Sequence, residues 1–284
     1  MQNHNVCYSG IWHFYADGRP FLWRLFPGHN KSDKPLLIFC HGFKGFMDWG
    51  GFPALMQQFS DQGFHVLQFN FSLNGTTPEQ PDSFSDLGAF RRNTLSREVL
   101  ELLQVCSIMQ QGAIPGLQFD GIILGGHSRG GYVAGAAAAK VSNIKGIFTW
   151  AGVVNMRQRL LRYDHEKWAA DGCIAELNAR TGQTMEMGYS LWQDFDKDEH
   201  LLFGEADFMP PDIPLLMVHG TADQAVDISE SRMLCKSRNQ IHTFLLEIPG
   251  ADHTFGMKHP MASNELPRDA GLALKASLDF VKRC

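Results

Sequence analysis

Residues 126–130 read Gly126-His127-Ser128-Arg129-Gly130, a Gly-x-Ser-x-Gly pentapeptide. A serine hydroxyl is a poor nucleophile until a base takes its proton, and a sharp strand-to-helix turn is the backbone that presents it. Glycines on either side relieve the crowding of such a turn, and the helix N-terminus behind it favours negative charge near the serine. A histidine would serve as the base, and a carboxylate would hold its imidazole in the working tautomer. Beyond Ser128 the chain offers Asp223, in His219-Gly220-Thr221-Ala222-Asp223, and then His253, in Gly250-Ala251-Asp252-His253. Asp227 and Asp252 are rival acids. His242 falls inside a predicted strand and His259 precedes Pro260, which leaves His253 better placed than either. His127 adjoins the serine but should point away from it, as a structural residue. Cys40 could supply a thiol, without the glycine-flanked turn.

The elements around these residues have to carry them to one place. Phe119 to Leu124 is a short β-branched apolar run, read as a buried strand, and Tyr132 to Lys140 is a helix of small residues able to lie close to a sheet. Pro35 to Cys40 is another buried strand, running into His41-Gly42-Phe43-Lys44-Gly45. That loop is either a plain glycine-rich turn or one whose N–H groups face outward to meet an anion. Gly10 to Tyr15 and Phe21 to Phe26 form a hairpin through Asp17-Gly18. Helices are expected over 53–63, 92–111, 228–235 and from about 267, and further strands over 64–69, 144–150, 213–219 and 241–248. The polar stretch 70–88 reads as a surface loop. Such alternation predicts a mostly parallel sheet covered on both faces. Ser128, Asp223 and His253 then each follow a strand, in the chain order serine, acid, histidine.

Residues 155–212 interrupt the rhythm. They contain no clear buried strand and hold twelve Asp/Glu against six Lys/Arg, among Trp168, Met185, Met187, Tyr189, Trp192 and Phe195. We read them as an insertion that covers the carboxyl edge of the sheet as a lid, the alternative being an ordinary helical excursion. Its acidity predicts a site unfavourable to strongly anionic substrates, and its apolar residues predict an apolar or aromatic acyl group.

With 284 residues the chain is long enough for one large α/β domain, 1–284, with this insertion inside it. A net charge of −5 gives no reason to expect nucleic acid as a partner. The six cysteines are scattered, in neither a zinc pattern nor a disulfide framework, which favours a reducing compartment. The N-terminus lacks the pattern of a signal peptide, and no stretch approaches the ~20 apolar residues of a membrane span. A cytoplasmic protein needing no metal and no cofactor is expected, with a small-molecule ester as its partner. A homodimer is left open.

Together, His41-Gly42-Phe43-Lys44-Gly45, Gly126-His127-Ser128-Arg129-Gly130, His219-Gly220-Thr221-Ala222-Asp223, Asp252-His253 and the stretch 178–183 resemble the α/β-hydrolases. Within them the likeness is to the dienelactone hydrolase-like and cinnamoyl (feruloyl) esterase-like group. The resemblance implies an α/β-hydrolase fold with an eight-stranded sheet, its first strands antiparallel, and a cap between strands six and seven. It also implies Ser128 as nucleophile, His253 as base and then acid, and Asp223 as the orienting carboxylate, with an oxyanion hole from the N–H groups of Phe43 and Arg129. True dienelactone hydrolases carry cysteine where this chain has Ser128, so the resemblance favours simple carboxylic-ester hydrolysis through an acyl-enzyme. A peptidase, thioesterase or acyltransferase would use the same triad. A non-catalytic binding protein is the reading from another class.

Overall fold

The computed structural model describes residues 7–28, 33–198, 209–238, 241–263 and 265–284. The turn at Gly18, with φ 69°, folds Tyr8–His13 (β1) back on Pro20–Phe26 (β2) as an antiparallel pair. Leu36–Cys40 (β3) follows, buried at every residue, as the continuous apolar run of a strand covered on both faces must be. Phe52–Asp61 (α1) returns the chain to Val66–Phe69 (β4), which lies parallel to β3. Leu87–Arg92 (α2) and Leu95–Gln110 (α3) precede Ile122–His127 (β5), Arg129–Ala138 (α4) and Ile144–Trp150 (β6).

Between β6 and the next strand of the main sheet lie Met156–Leu160 (α5), His165–Asp171 (α6), Cys173–Leu177 (β7), Thr184–Gly188 (β8) and Ser190–Asp198 (α7). Leu215–Gly220 (β9), Ile228–Ser237 (α8), Thr243–Ile248 (β10) and Arg268–Val281 (α9) complete the chain. The main sheet has eight strands in the order β1-β2-β4-β3-β5-β6-β9-β10, parallel from β4 onward. The eight-stranded α/β architecture with antiparallel first strands is therefore the one expected.

Residues of β3 alternate between two cores with the period of two that a pleated strand imposes. Leu36, Ile38 and Cys40 pack with residues of α3 and α4, whereas Leu37 and Phe39 pack with Phe52 and Phe59 of α1 and Leu274 of α9. The chain leaves β3 toward β4 on one side and leaves β5 toward β6 on the other. The loops after β3 and β5 therefore diverge, and a crevice opens at the carboxyl edge between them.

Three expectations need correction. The stretch 70–88 is not a surface loop along its whole length, because Asn70 to Thr76 are buried. Its polar groups are satisfied from inside: Asn70 Oδ1 accepts the Met47 N–H at 2.7 Å, and Glu101 Oε2 accepts the Ser72 N–H at 2.9 Å. The helix expected over 92–111 starts at Leu95, where the Thr94 hydroxyl caps it by accepting the Arg97 N–H, and α2 precedes it as a separate turn. The insertion does contain strands, for β7 and β8 pair antiparallel across the turn at 178–183. Residues 199–208 of that insertion lie outside the described residues. Among the described residues no helix is long and apolar enough to cross a membrane.

Candidate active site

Ser128 joins β5 to α4 with φ 54° and ψ −121°, a backbone conformation that costs a non-glycine residue about 1–3 kcal/mol. Its neighbours hold it there. The Ser128 N–H donates to the Trp150 carbonyl of β6 at 2.9 Å, and its own carbonyl accepts the N–H groups of Gly131 at 3.0 Å and Val153 at 3.2 Å. The flanking glycines are steric requirements: a Cβ on Gly126 would lie 2.3 Å from the Gly130 backbone, and one on Gly130 would lie 2.3 Å from the Cys40 carbonyl oxygen. Glycine at these two positions thus lets strand, turn and helix pass so closely.

Asp223 follows β9 and His253 follows β10. Asp223 Oδ2 accepts a hydrogen bond from His253 Nδ1 at 2.8 Å, which leaves Nε2 as the basic nitrogen of a neutral imidazole. The same oxygen lies 3.2 Å from His219 Nε2, while Oδ1 accepts the N–H groups of Ala225 at 2.8 Å and Val226 at 2.9 Å. Burial works to raise the Asp223 carboxyl, but the bonds from His219 and His253 outweigh it and hold it well below the usual carboxylate range. Asp223 is therefore an anion at any pH near neutral.

The rival residues have other work. Asp252 Oδ1 accepts the N–H groups of Thr254 and Gly256, both at 2.9 Å, and so builds the loop that carries His253. Asp227 caps α8 through the Ser229 N–H. His242 sits just before β10, at the opposite end of the sheet from the crevice. His259 Nδ1 accepts the Gly50 N–H. Cys40 is fully buried, and burial pushes its thiol well above the ordinary value.

Two cavities meet at Ser128 and His253. One, of ≈ 270 Å³, is bordered by Phe43, Arg129 and Tyr163, and the other, of ≈ 240 Å³, by Trp49, Phe52 and Arg180. Phe43 borders both, and among the described residues neither its N–H nor that of Arg129 donates to a backbone or side-chain acceptor. Both amides remain available to an oxygen bound beside Ser128. The Ser128 hydroxyl likewise has no hydrogen-bond partner among the described residues.

Several residues that support this arrangement escaped the sequence reading. His219 donates from Nε2 to the Val226 carbonyl as well as toward Asp223, and its Nδ1 accepts the Ser231 hydroxyl at 2.8 Å. Its spacing of four from Asp223 was the available signal. His127, expected as a structural residue, braces His253: its Nε2–H donates to the His253 carbonyl at 2.9 Å and its ring packs on the His253 ring. Burial, reinforced by His253, lowers His127 to about 3, so it stays neutral. His41 donates from Nδ1 to the Gly42 carbonyl and accepts the Phe71 N–H, which braces the loop bearing Phe43, and burial lowers it to about 4. Behind the elbow the Arg129 guanidinium lies 4.1 Å over the Phe43 ring and 3.6 Å from the buried Glu98 carboxylate. Burial raises Glu98, and Arg129 and the Asn93 amide offset this.

The family model described as the alpha/beta hydrolase family matches residues 37–265, which span β3 to the loop beyond His253. The chain belongs to the alpha/beta hydrolase family. In fold, this hydrolase is similar to Est1E from Butyrivibrio proteoclasticus, with a TM-score of 0.67 and 20% identity over 96% of this chain and 98% of that one. It is also similar to a putative hydrolase from Agrobacterium vitis S4, with a TM-score of 0.73 and 17% identity over 97% and 98% of the two chains. A third likeness is to alpha/beta hydrolase domain-containing protein 10 from mouse, at 0.71 and 16% over 97% and 99%. No curated protein sequence matches the hydrolase.

Proposed function

We propose that this hydrolase cleaves carboxylic esters through an acyl-enzyme formed on Ser128. The observation that carries the reading is His253, hydrogen-bonded at 2.8 Å to the buried Asp223 and bordering the same cavities as a serine held on a strained strand-to-helix turn. His253 Nε2 takes the Ser128 proton as the hydroxyl oxygen attacks the ester carbonyl. Asp223 keeps the imidazole oriented and stabilises the imidazolium that forms. The carbonyl oxygen, now an oxyanion, is met by the N–H groups of Phe43 and Arg129, each worth roughly 3 kcal/mol to the transition state. His253 then protonates the leaving alkoxide. In the second half, water attacks the acyl-enzyme with the same base, and the acid is released.

An ester rather than another acyl compound is favoured by the likeness in fold to Est1E, a protein whose structure has been solved with ferulic acid bound. Trp49 and Phe52 in the second cavity suit an apolar or aromatic part of such a substrate. The insertion acts as a cap, since Met156, Leu160, Tyr163 and Met187 close one side of the first cavity. A cytoplasmic location accords with six cysteines that are all unpaired.

The test is hydrolysis of p-nitrophenyl esters of short, long and aromatic acids by wild-type and Ser128→Ala protein, with stoichiometric labelling by a fluorophosphonate. We expect labelling and turnover in the wild type, and a loss of at least ~10³-fold in kcat with no label in Ser128→Ala. Unchanged turnover in Ser128→Ala would remove Ser128 as nucleophile. Labelling without turnover of any ester would point to a peptidase, thioesterase or acyltransferase, and neither labelling nor turnover to a binding role.

A further inference from the structure

The insertion is acidic in composition, yet what it contributes to the larger cavity is mostly basic. Five charged residues besides His253 border that cavity: Lys44, Arg129, Arg159, Arg162 and Glu176. Two of the cations are neutralised within the protein. Lys44 Nζ lies 3.4 Å from Glu176 Oε2, whose companion oxygen accepts the Tyr163 hydroxyl at 2.9 Å, and Arg129 faces Glu98. Arg159 and Arg162 are in a different position. Among the described residues neither has a carboxylate within salt-bridge distance; Arg159 Nη2 donates to the Ala225 carbonyl at 2.5 Å, and Arg162 Nε to the Arg159 carbonyl at 3.2 Å. The acid on the neighbouring helix α8, Glu230, is turned instead onto the N–H groups of Val154 and Asn155, at 2.8 and 2.9 Å.

An arginine keeps its charge in any such setting, and a half-buried charge without a counter-ion is unfavourable. For Arg159, burial and then the repulsion from Arg162 outweigh the attraction of Glu230 and pull the guanidinium below its ordinary pKa. The second cavity presents a cation differently. Arg180 there stacks over the Phe46 and Phe84 rings, with centroids 5.3 and 5.6 Å away.

We propose that Arg159 and Arg162 form an anion subsite beside Ser128, so that the ester cleaved by this enzyme carries a carboxylate on the part that fills the larger cavity. The assignment rests on the esterase reading above and narrows its substrate class. It reverses the charge preference that the composition of the insertion suggests. A guanidinium fork meets a carboxylate with two parallel hydrogen bonds, and at the half-buried Arg159 these are screened less than at the surface.

The experiment compares esters matched in size and differing in charge, in two series. In the acyl series, mono-p-nitrophenyl glutarate is set against p-nitrophenyl pentanoate. In the alcohol series, the butyrate ester of 4-hydroxybenzoate is set against that of 4-hydroxybenzamide. In one series the anionic ester should exceed its neutral partner in kcat/KM by roughly tenfold or more at low salt, and the series that responds names the side of the ester in the cavity. That ratio should shrink as salt rises and fall to about one in the Arg159→Gln/Arg162→Gln protein. Arg162→Glu, at an exposed position that contributes little packing, should push the ratio below one. The same ratio in Arg180→Gln should stay at the wild-type value. Neutral-ester turnover without anionic preference in either series, or a preference that survives the Arg159 and Arg162 substitutions, overturns the subsite and leaves the esterase reading intact. Loss of the preference in Arg180→Gln alone moves the anion to the other cavity and overturns it too. Absence of turnover on all four esters overturns the esterase reading, and the subsite with it.

Discussion

Asp223 is the residue on which the charges of the proposed site converge. One of its oxygens accepts two backbone N–H groups and the other faces His219 and His253. Replacing the carboxylate by an amide keeps the shape but presents an N–H where an acceptor is needed, which drives His253 toward the wrong tautomer. Asp223→Asn should therefore lower kcat on p-nitrophenyl esters by roughly 10⁴-fold. Asp227, four residues on, only caps α8. Asp227→Ala should lower the melting temperature slightly while ester turnover remains at the wild-type level. Steady-state kinetics on both variants decides between the two acids, and an inactive Asp227→Ala with an active Asp223→Asn would exchange their roles.

At the scale of elements, the turn between β5 and α4 sets how near a helix can come to the sheet. The small residues of α4 let it lie across β3, β5 and β6, and all ten of its residues are buried. Gly130 stands where that approach is tightest, against the Cys40 and His41 carbonyls. Gly130→Ala should cost about 3 kcal/mol of stability in urea unfolding, the upper range for overpacking, and should weaken fluorophosphonate labelling as the elbow opens. Gly271, in the first turn of α9, has open space where a Cβ would go. There the sign reverses, and Gly271→Ala should stabilise by about 0.5–1 kcal/mol because alanine loses less backbone entropy in a helix. Equal effects of the two substitutions would mean that α4 does not approach the sheet as described.

For the whole molecule the consequence is a dependence of stability on pH. His41 and His127 are buried and neutral in the folded protein, lowered to about 4 and about 3, whereas the unfolded chain protonates them near pH 6.5. Between those values the unfolded state binds more protons, so stability falls as pH drops from about 6.5 toward 4. Each histidine contributes up to about 1.4 kcal/mol per pH unit over that window. Glu98 and Glu101, whose carboxyls burial raises, act in the opposite direction. A comparison with His127→Gln isolates the histidine, because the carboxylates are common to both proteins. Urea unfolding at pH 7.5 and 5.0 should give a smaller loss in His127→Gln than in the wild type, and equal losses would show that His127 is not held neutral.

The sequence by itself determined the order of the main-sheet strands along the chain, the elbow and the places of Ser128, Asp223 and His253 after their strands. Those features are local: a buried strand needs an apolar run, and a strained turn needs glycines where a Cβ would strike backbone. Three kinds of fact were decided only in the tertiary structure. The polar run Asn70 to Thr76 is buried because partners distant in sequence, such as Glu101, satisfy it, and composition alone read it as solvated. It is the Asp223 carboxylate, and not that of Asp227 or Asp252, that hydrogen-bonds His253 Nδ1, a distance between two loops that spacing along the chain does not encode. The charge that faces Ser128 came out opposite in sign to the insertion's total. Helix α5 and the turn after it bring Arg159 and Arg162 to the cavity, while acids such as Asp171 and Asp196 pair with Lys167 and Arg157 away from it. Composition sums charges over a segment, but a substrate meets only those that the fold turns toward it.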